Sequence, residues 1–149
     1  MMQIVPAATD QLFRGLSSWS NLVHLSLSAI HFSRCRGRSL LYLTPEHHPV
    51  LKRITIQRAV FVLPSYAAEC AIRCSDGLEE LLLIDTYQES IWGPRVRKSD
   101  VEEAVISGKC ELNGILDTSD ALEIVRKLVR CEARTERLEG GDREVSVCS

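Results

Sequence analysis

The chain carries one six-residue pattern three times: as Leu22-Val23-His24-Leu25-Ser26-Leu27, as Leu51-Lys52-Arg53-Ile54-Thr55-Ile56 and as Leu78-Glu79-Glu80-Leu81-Leu82-Leu83. Positions 1, 4 and 6 are apolar in every copy, and successive copies begin 29 and 27 residues apart. A pattern at a nearly constant spacing indicates a structural repeat. In a short β-strand, positions 4 and 6 point to one side, and positions 3, 5 and 7 point to the other. We therefore predict three neighbouring parallel strands whose inward residues are buried: Leu25, Leu27, Ile54, Ile56, Leu81 and Leu83.

The segments before the predicted strands favour helices. Pro64 suits a first helical turn, and Ala67, Cys70 and Cys74 then recur at helical spacing. Pro45 ends a shorter candidate helix. The three expected helices cover residues 9–19, 39–44 and 64–74. Helices that alternate with parallel strands define an α/β fold.

The repeated pattern resembles the leucine-rich repeat, in its longer form with a helix in each unit. The resemblance implies a short solenoid of about three strand-helix units, with one shared core and a sheet surface on the outside. Leucine-rich repeats usually carry Asn or Cys at position 9, whereas this chain has Ile30, Ala59 and Thr86 there. An irregular solenoid is therefore expected.

Irregular repeats of this kind resemble the C-terminal regions of fungal F-box-like proteins. That resemblance implies the substrate-recognition part of an F-box-type ubiquitin ligase adaptor. No F-box pattern is visible, and the chain opens directly on a repeat unit. We therefore expect a fragment or an N-terminally truncated gene product.

The repeated pattern does not occur again after the third predicted strand. Ser99 or Asp100 can cap a short helix over residues 101–107. Asp117 begins a stronger helix, which we predict to run for about twenty residues, as far as the glycines at 140–141, and to cap the last repeat. The predicted organisation is repeat units at 1–92, a C-terminal helical segment at 93–139 and a flexible tail at 140–149.

Two tryptophans lie next to the predicted strands. Trp19 is interpreted as a core residue. Trp92 is either an exposed binding anchor or a plug over the open end of the core, and we favour the plug because the end of a solenoid needs cover. In that interpretation the segment around Ile91 and Trp92 folds over Leu82 and Ile84.

Composition and charge limit the class of protein. The chain has 149 residues, of which 45% are hydrophobic and 26% charged, which fits one small globular domain. A net charge of −2 argues against nucleic-acid binding, and no apolar run is long enough to span a membrane. Six cysteines without a CxxC pair, in a chain without an export signal, predict six free thiols and a cytoplasmic or nuclear location.

The sequence favours no catalytic, metal or cofactor site. Cys70 and Cys74 near His47 and His48 lack zinc-site spacing and are interpreted as buried thiols. No G-x-S-x-G elbow and no glycine-rich phosphate loop occurs. The basic segments 34–38 and 95–98 are interpreted as solvated loops.

The preferred function is a protein–protein interaction module that binds a protein partner on the outward strand face. Its candidate binding residues are His24, Ser26, Ser28, Arg53, Thr55, Gln57, Glu80, Leu82 and Ile84. Most of these side chains are polar, which does not fit a covered face of a parallel sheet. Two alternatives stay open: a small α/β enzyme or thiol-dependent redox protein, and a gene fragment without independent function.

Overall fold

The structure is a computed structural model that describes residues 6–32, 36–110 and 116–134. Four α-helices, a short 3₁₀ helix and four β-strands occur in these residues. In chain order they are α1 (Pro6–Leu16), β1 (His24–Ser28), the 3₁₀ helix (Arg38–Tyr42), β2 (Arg53–Gln57), α2 (Pro64–Arg73), β3 (Glu80–Ile84), α3 (Lys98–Ile106), α4 (Thr118–Leu128) and β4 (Val129–Glu132).

The four strands form one parallel sheet in the order β1-β2-β3-β4. The register places Leu25 opposite Ile54, Ile54 opposite Leu81, and Leu81 opposite Val129. Equivalent positions of the three sequence copies therefore lie side by side. The predicted α/β class and the three neighbouring parallel strands are confirmed.

The helices cover one side of the sheet. The inward residues of β2 and β3 belong to the same core as Phe13 of α1, Leu40 of the 3₁₀ helix and Val125 of α4. Small residues let α2 lie close to the strands, and Ala67 and Cys70 are fully buried. The predicted core is confirmed apart from Leu27, which is only half-buried because β1 is the edge strand.

Each of the first three strands ends in the same unusual turn. Ala29, Arg58 and Asp85 directly follow β1, β2 and β3, and all three have a positive φ, of 59°, 54° and 46°. Each backbone N–H donates to the carbonyl of the last residue of the neighbouring strand, at 2.9–3.0 Å, with Gln57, Ile84 and Glu132 as acceptors. A left-handed residue other than glycine costs roughly 1–2 kcal/mol, so three equivalent ones indicate a turn that the parallel register imposes.

The predicted C-terminal helix is right at its start and wrong at its end. The Asp117 side chain accepts a hydrogen bond from the Asp120 backbone N–H at 2.8 Å, as a helix N-cap does. The helix stops at Leu128, and the chain continues as strand β4 instead of as a helix to residue 139. Val129 and Cys131 alternate with polar residues, so they can bury one side of a strand beside β3. The predicted tail at 140–149 lies outside the described residues.

Both tryptophan interpretations are wrong. Trp19 is 58% exposed, because it lies in the turn beyond Leu16, the last core residue of α1. Trp92 is 67% exposed and Ile91 is 49% exposed, so neither side chain plugs the core. The end of the predicted three-strand sheet is covered by β4, which pairs with β3 and removes the need for a plug.

No helix among the residues that the structure describes is both long and apolar enough to cross a membrane.

Candidate functional site

The open face is the side of the sheet opposite the helices. We define it by the outward side chains of the four strands, which the parallel register sets in rows. The first row is His24, Arg53 and Glu80; the second is Ser26, Thr55, Leu82 and Arg130; the third is Ser28, Gln57 and Glu132. All of these side chains are exposed or half-buried.

Ile84 does not belong to the open face. Sequence alternation places it outward in the third row, yet its side chain is only 2% exposed. Ile84 lies where β3 leads directly into Asp85, Thr86 and Tyr87, all of which are buried. The alternation of a strand gives the direction of a side chain but not what packs over it, so Ile84 must be removed from the predicted binding residues.

The β1–β2 half of the open face presents hydrogen-bonding groups and an unneutralised positive charge. His24 Nε2 lies 3.3 Å from Thr55 Oγ1, and this contact links the two strands. A neighbouring guanidinium, that of Arg58, donates to Ser28 Oγ at 3.1 Å. Arg53 is exposed, and its side chain has no ion pair or hydrogen bond with any other described residue. Arg53 is therefore available to an acidic group from outside.

The β3–β4 half of the open face is bridged by ion pairs. Arg130 Nη1 lies 3.1 Å from Glu80 Oε2, and Arg130 Nη2 lies 3.7 Å from Glu132 Oε2. Glu132 also pairs with Arg134 at 2.7 Å. Sequence reasoning missed Arg130 and Glu132 because it assigned them to a helix. Their alternation with Val129 and Cys131 is the signal that could have found them.

Leu82 is the apolar centre of the open face. Its neighbours in the register are Thr55 on β2 and Arg130 on β4. The side chain is half-buried, so part of it remains accessible. An apolar side chain surrounded by polar groups matches the apolar centre and polar rim of a protein interface.

A buried ion pair lies at the C-terminal ends of the strands, next to the end of β3. Arg95 Nε lies 3.5 Å from Asp85 Oδ1, and the side chains are 1% and 2% exposed. The guanidinium also stacks 5.6 Å from the Tyr87 ring centroid, and Asp85 Oδ1 accepts a hydrogen bond from the Arg134 backbone N–H at 2.9 Å. The interpretation of Arg95 as part of a solvated basic loop is therefore wrong.

The loop that presents Trp92 leads into Arg95 and is held by backbone hydrogen bonds. The Gln88 backbone N–H donates to Pro94 O at 3.0 Å, and the Gly93 N–H donates to Ser90 O at 3.0 Å. The loop is also tied to the β2 unit, because the Phe61 N–H donates to the loop's Glu89 carbonyl at 2.9 Å. Trp92 is therefore displayed on a well-supported loop at the ends of the strands.

The thiols in the described residues are free, as predicted, and are located in Cys70, Cys74, Cys110 and Cys131. The predicted thiols of Cys35 and Cys148 lie outside the described residues. The hydrogen bond between the Cys70 and Cys74 thiols, together with burial, raises the pKa of Cys70, and the same hydrogen bond lowers the pKa of Cys74. Cys74 Sγ donates to the Leu43 carbonyl at 3.2 Å. Burial raises the pKa of Cys110 to about 11.

Within ranges 6–32, 36–110 and 116–134, no three His, Cys, Asp or Glu side chains are grouped as metal ligands.

No protein-family model matches the chain, and no curated protein or solved structure matches it either. The open face offers donors, acceptors, one unneutralised cation and one apolar side chain, which are groups suited to binding a polypeptide.

Proposed function

We propose that this chain is a protein-interaction module that binds a polypeptide partner on the open face. The observation that carries the proposal is the exposure of polar side chains along β1 and β2. Parallel sheets are normally covered on both sides and then have apolar outward residues. Here Ser26, Ser28 and Arg53 are exposed in a sheet whose other side packs on helices. A partner that covers this side would complete the usual layering.

We also propose that the strands and helices form a short, irregular leucine-rich-repeat-like solenoid. Three features support this: the spacing of 29 and 27 residues, the side-by-side alignment of equivalent positions, and the equivalent left-handed turns at Ala29, Arg58 and Asp85. Strand β4 aligns Val129 and Cys131 with Leu81 and Leu83, and therefore adds part of a fourth unit.

The charges of the open face favour a partner with an acidic and an apolar side chain. Arg53 has no neutralising partner among the described residues, so it favours a carboxylate. Leu82 lies one row further on the neighbouring strand and can receive an apolar group. The ion pairs of Arg130 limit the free charge on the β4 side.

The resemblance to F-box-like proteins gives this module a biological setting. In that setting the partner is a protein marked for ubiquitination, in the cytoplasm or nucleus, and the chain is the recognition part of a longer adaptor. We assign no chemistry to the described thiols, because Cys70, Cys74 and Cys131 are buried and the pKa of Cys110 is too high for a thiolate at neutral pH.

Capture of partners from a cell extract tests the binding role. We expect the double variant Arg53→Glu, Gln57→Ala to lose the proteins that the unchanged chain captures, while its melting temperature stays the same. A matched control, Lys127→Glu with Gln11→Ala, makes the same kind of change at exposed helix positions. Equal capture by the open-face variant and the control variant would contradict the proposal.

A further inference from the structure

A groove of about 890 Å³ lies on the helix side of the molecule, away from the open face. Its walls come from the 3₁₀ helix and the segment before it, from α2, and from single residues of α1 and of the segment after α3. Volumes of roughly 300–1,000 Å³ are usual for sites that bind small molecules. The groove is therefore large enough for a ligand of nucleotide size.

Four cationic side chains line this groove: Arg36, Arg38, Arg73 and Lys109. All four are exposed, and none has an ion pair or a hydrogen bond from its side chain to another described residue. The Arg36 guanidinium lies over the Phe61 ring, 5.5 Å from its centroid. Four cations around one groove, none of them paired with another described residue, are unexpected in a chain with a net charge of −2.

Two acidic side chains also line the groove, but they do not neutralise these cations. Asp10 is already bound, because it pairs with Arg14 at 3.0 Å and accepts a hydrogen bond from Ser39 at 3.3 Å. Glu69 is 5% exposed and has an interaction of its own, and it forms no ion pair with the four groove cations. The groove therefore keeps a local excess of positive charge.

The backbone holds the cation-bearing segments together at the start of α2. The Leu63 N–H donates to the Arg36 carbonyl at 2.8 Å, and Cys110 Sγ donates to the Ser65 carbonyl at 3.6 Å. Between Arg36 and Arg38, Gly37 has φ 96°, and a Cβ there would lie 3.3 Å from the Val62 side chain. The positive φ and the close approach to Val62 both favour glycine at the position that joins Arg36 and Arg38.

We propose that this groove binds a small molecule that carries two or more phosphate groups. Guanidinium groups bind phosphate oxygens through paired hydrogen bonds, and an ammonium adds a further charged donor. Several phosphates on one ligand can contact cations from three separate segments at once. Tyr42 and Tyr66 also line the groove and offer ring surface beside the cations. The proposal does not depend on the function of the open face.

Isothermal titration of the full chain with sodium tripolyphosphate, with sodium chloride matching the ionic strength, tests this site. We expect saturable binding, and binding that is at least about tenfold weaker in the double variant Arg38→Glu, Arg73→Glu, because charge-assisted hydrogen bonds are lost. A control variant, Lys52→Glu with Lys127→Glu, changes the same charge on exposed residues outside the groove and outside the open face, and should bind like the unchanged chain. Unliganded melting curves of both variants show whether the fold is intact.

Two results would overturn the proposal: no binding of tripolyphosphate by the unchanged chain, or equal weakening in the groove variant and the control variant. Titration with ATP without magnesium identifies the ligand more closely. Tighter binding of ATP than of tripolyphosphate would assign a contact to the nucleoside, whereas equal binding would assign recognition to the phosphates alone. Either result supports the site if the groove variant is the weaker binder.

Discussion

Arg95 and Asp85 form a buried ion pair across the end of the third strand, with Nε and Oδ1 3.5 Å apart and both side chains almost completely inaccessible. Asp85 also holds the left-handed turn after β3 and accepts a hydrogen bond from the backbone of Arg134, just beyond β4. One carboxylate thus joins the β3 turn, the Trp92 loop and the end of β4. We infer that this pair fixes the C-terminal edge of the sheet.

Removing one member of the Arg95–Asp85 ion pair should strongly destabilise the fold. The variant Arg95→Met leaves the Asp85 carboxylate buried without its cation, and we expect it to lose about 3–5 kcal/mol of unfolding free energy. The double variant Arg95→Met, Asp85→Asn removes both charges and keeps a residue that tolerates positive φ, so it should recover part of this loss. Urea denaturation measures both. A double variant no more stable than the single one would show that Asp85 stabilises the fold by other contacts.

Substitution of the inward and outward leucines of β3 should lower the stability of the fold by very different amounts. Leu81 is fully buried, and we expect Leu81→Ala to cost about 2–5 kcal/mol because it leaves a cavity in the core. Leu82 is the next residue but only half-buried on the open face, so Leu82→Ala should cost much less. The difference in urea midpoint between the two variants checks the assignment of the faces. Equal losses would contradict it.

Stability should fall as the pH drops below neutrality. His48 is 3% exposed, its Nδ1 lies 3.2 Å from the Trp19 carbonyl, and burial lowers its pKa below the ordinary value of 6.5. The unfolded chain therefore takes up a proton at His48 before the native chain does, so stability decreases as the pH falls through that ordinary value.

The variant His48→Gln isolates this contribution. We expect the urea midpoint of the unchanged chain to decrease between about pH 7.5 and about pH 5.5, and to decrease less in the variant. The other histidines are present in both proteins and cancel in the comparison. The same pH dependence in both proteins would exclude His48 as its source.

The sequence predicts all six cysteines to be free thiols. Titration with a thiol reagent under denaturing, non-reducing conditions should count six, the number of cysteines in the chain. In the native protein, Cys70 and Cys131 should react slowly, because they are buried. A denatured count of four or fewer would contradict the prediction of a reducing compartment.

The sheet could be predicted because its signal is local. Leu78, Leu81 and Leu83 repeat a spacing that two earlier segments share, and that spacing gives the strands, the inward residues and the parallel order together. Strand β4 was missed because its four residues follow α4 without a break and show only two apolar positions, which also fit a helix. The competing pairing with β3 is a tertiary interaction that periodicity does not report.

The candidate site could also be predicted only where the local sequence pattern decides the position of a side chain. Alternation correctly placed Ser26 and Arg53 outward, because no element of the described residues covers that side of β1 and β2. It failed for Ile84, which alternation places outward but whose side chain is only 2% exposed. Alternation also did not predict the ion pair of Arg95 with Asp85. A basic segment in a sequence has the same residues whether it is exposed to water or paired with an acidic side chain in the fold.

Site-specific photo-crosslinking tests the central claim, that a polypeptide partner binds the open face. A photoreactive phenylalanine analogue at Ser26, an exposed position in the second row, should form a covalent product with a partner polypeptide in cell extract. The same analogue at Gln11, an exposed position on α1, should not form that product. A product from Gln11 with none from Ser26 would contradict the assignment of the open face as the binding surface.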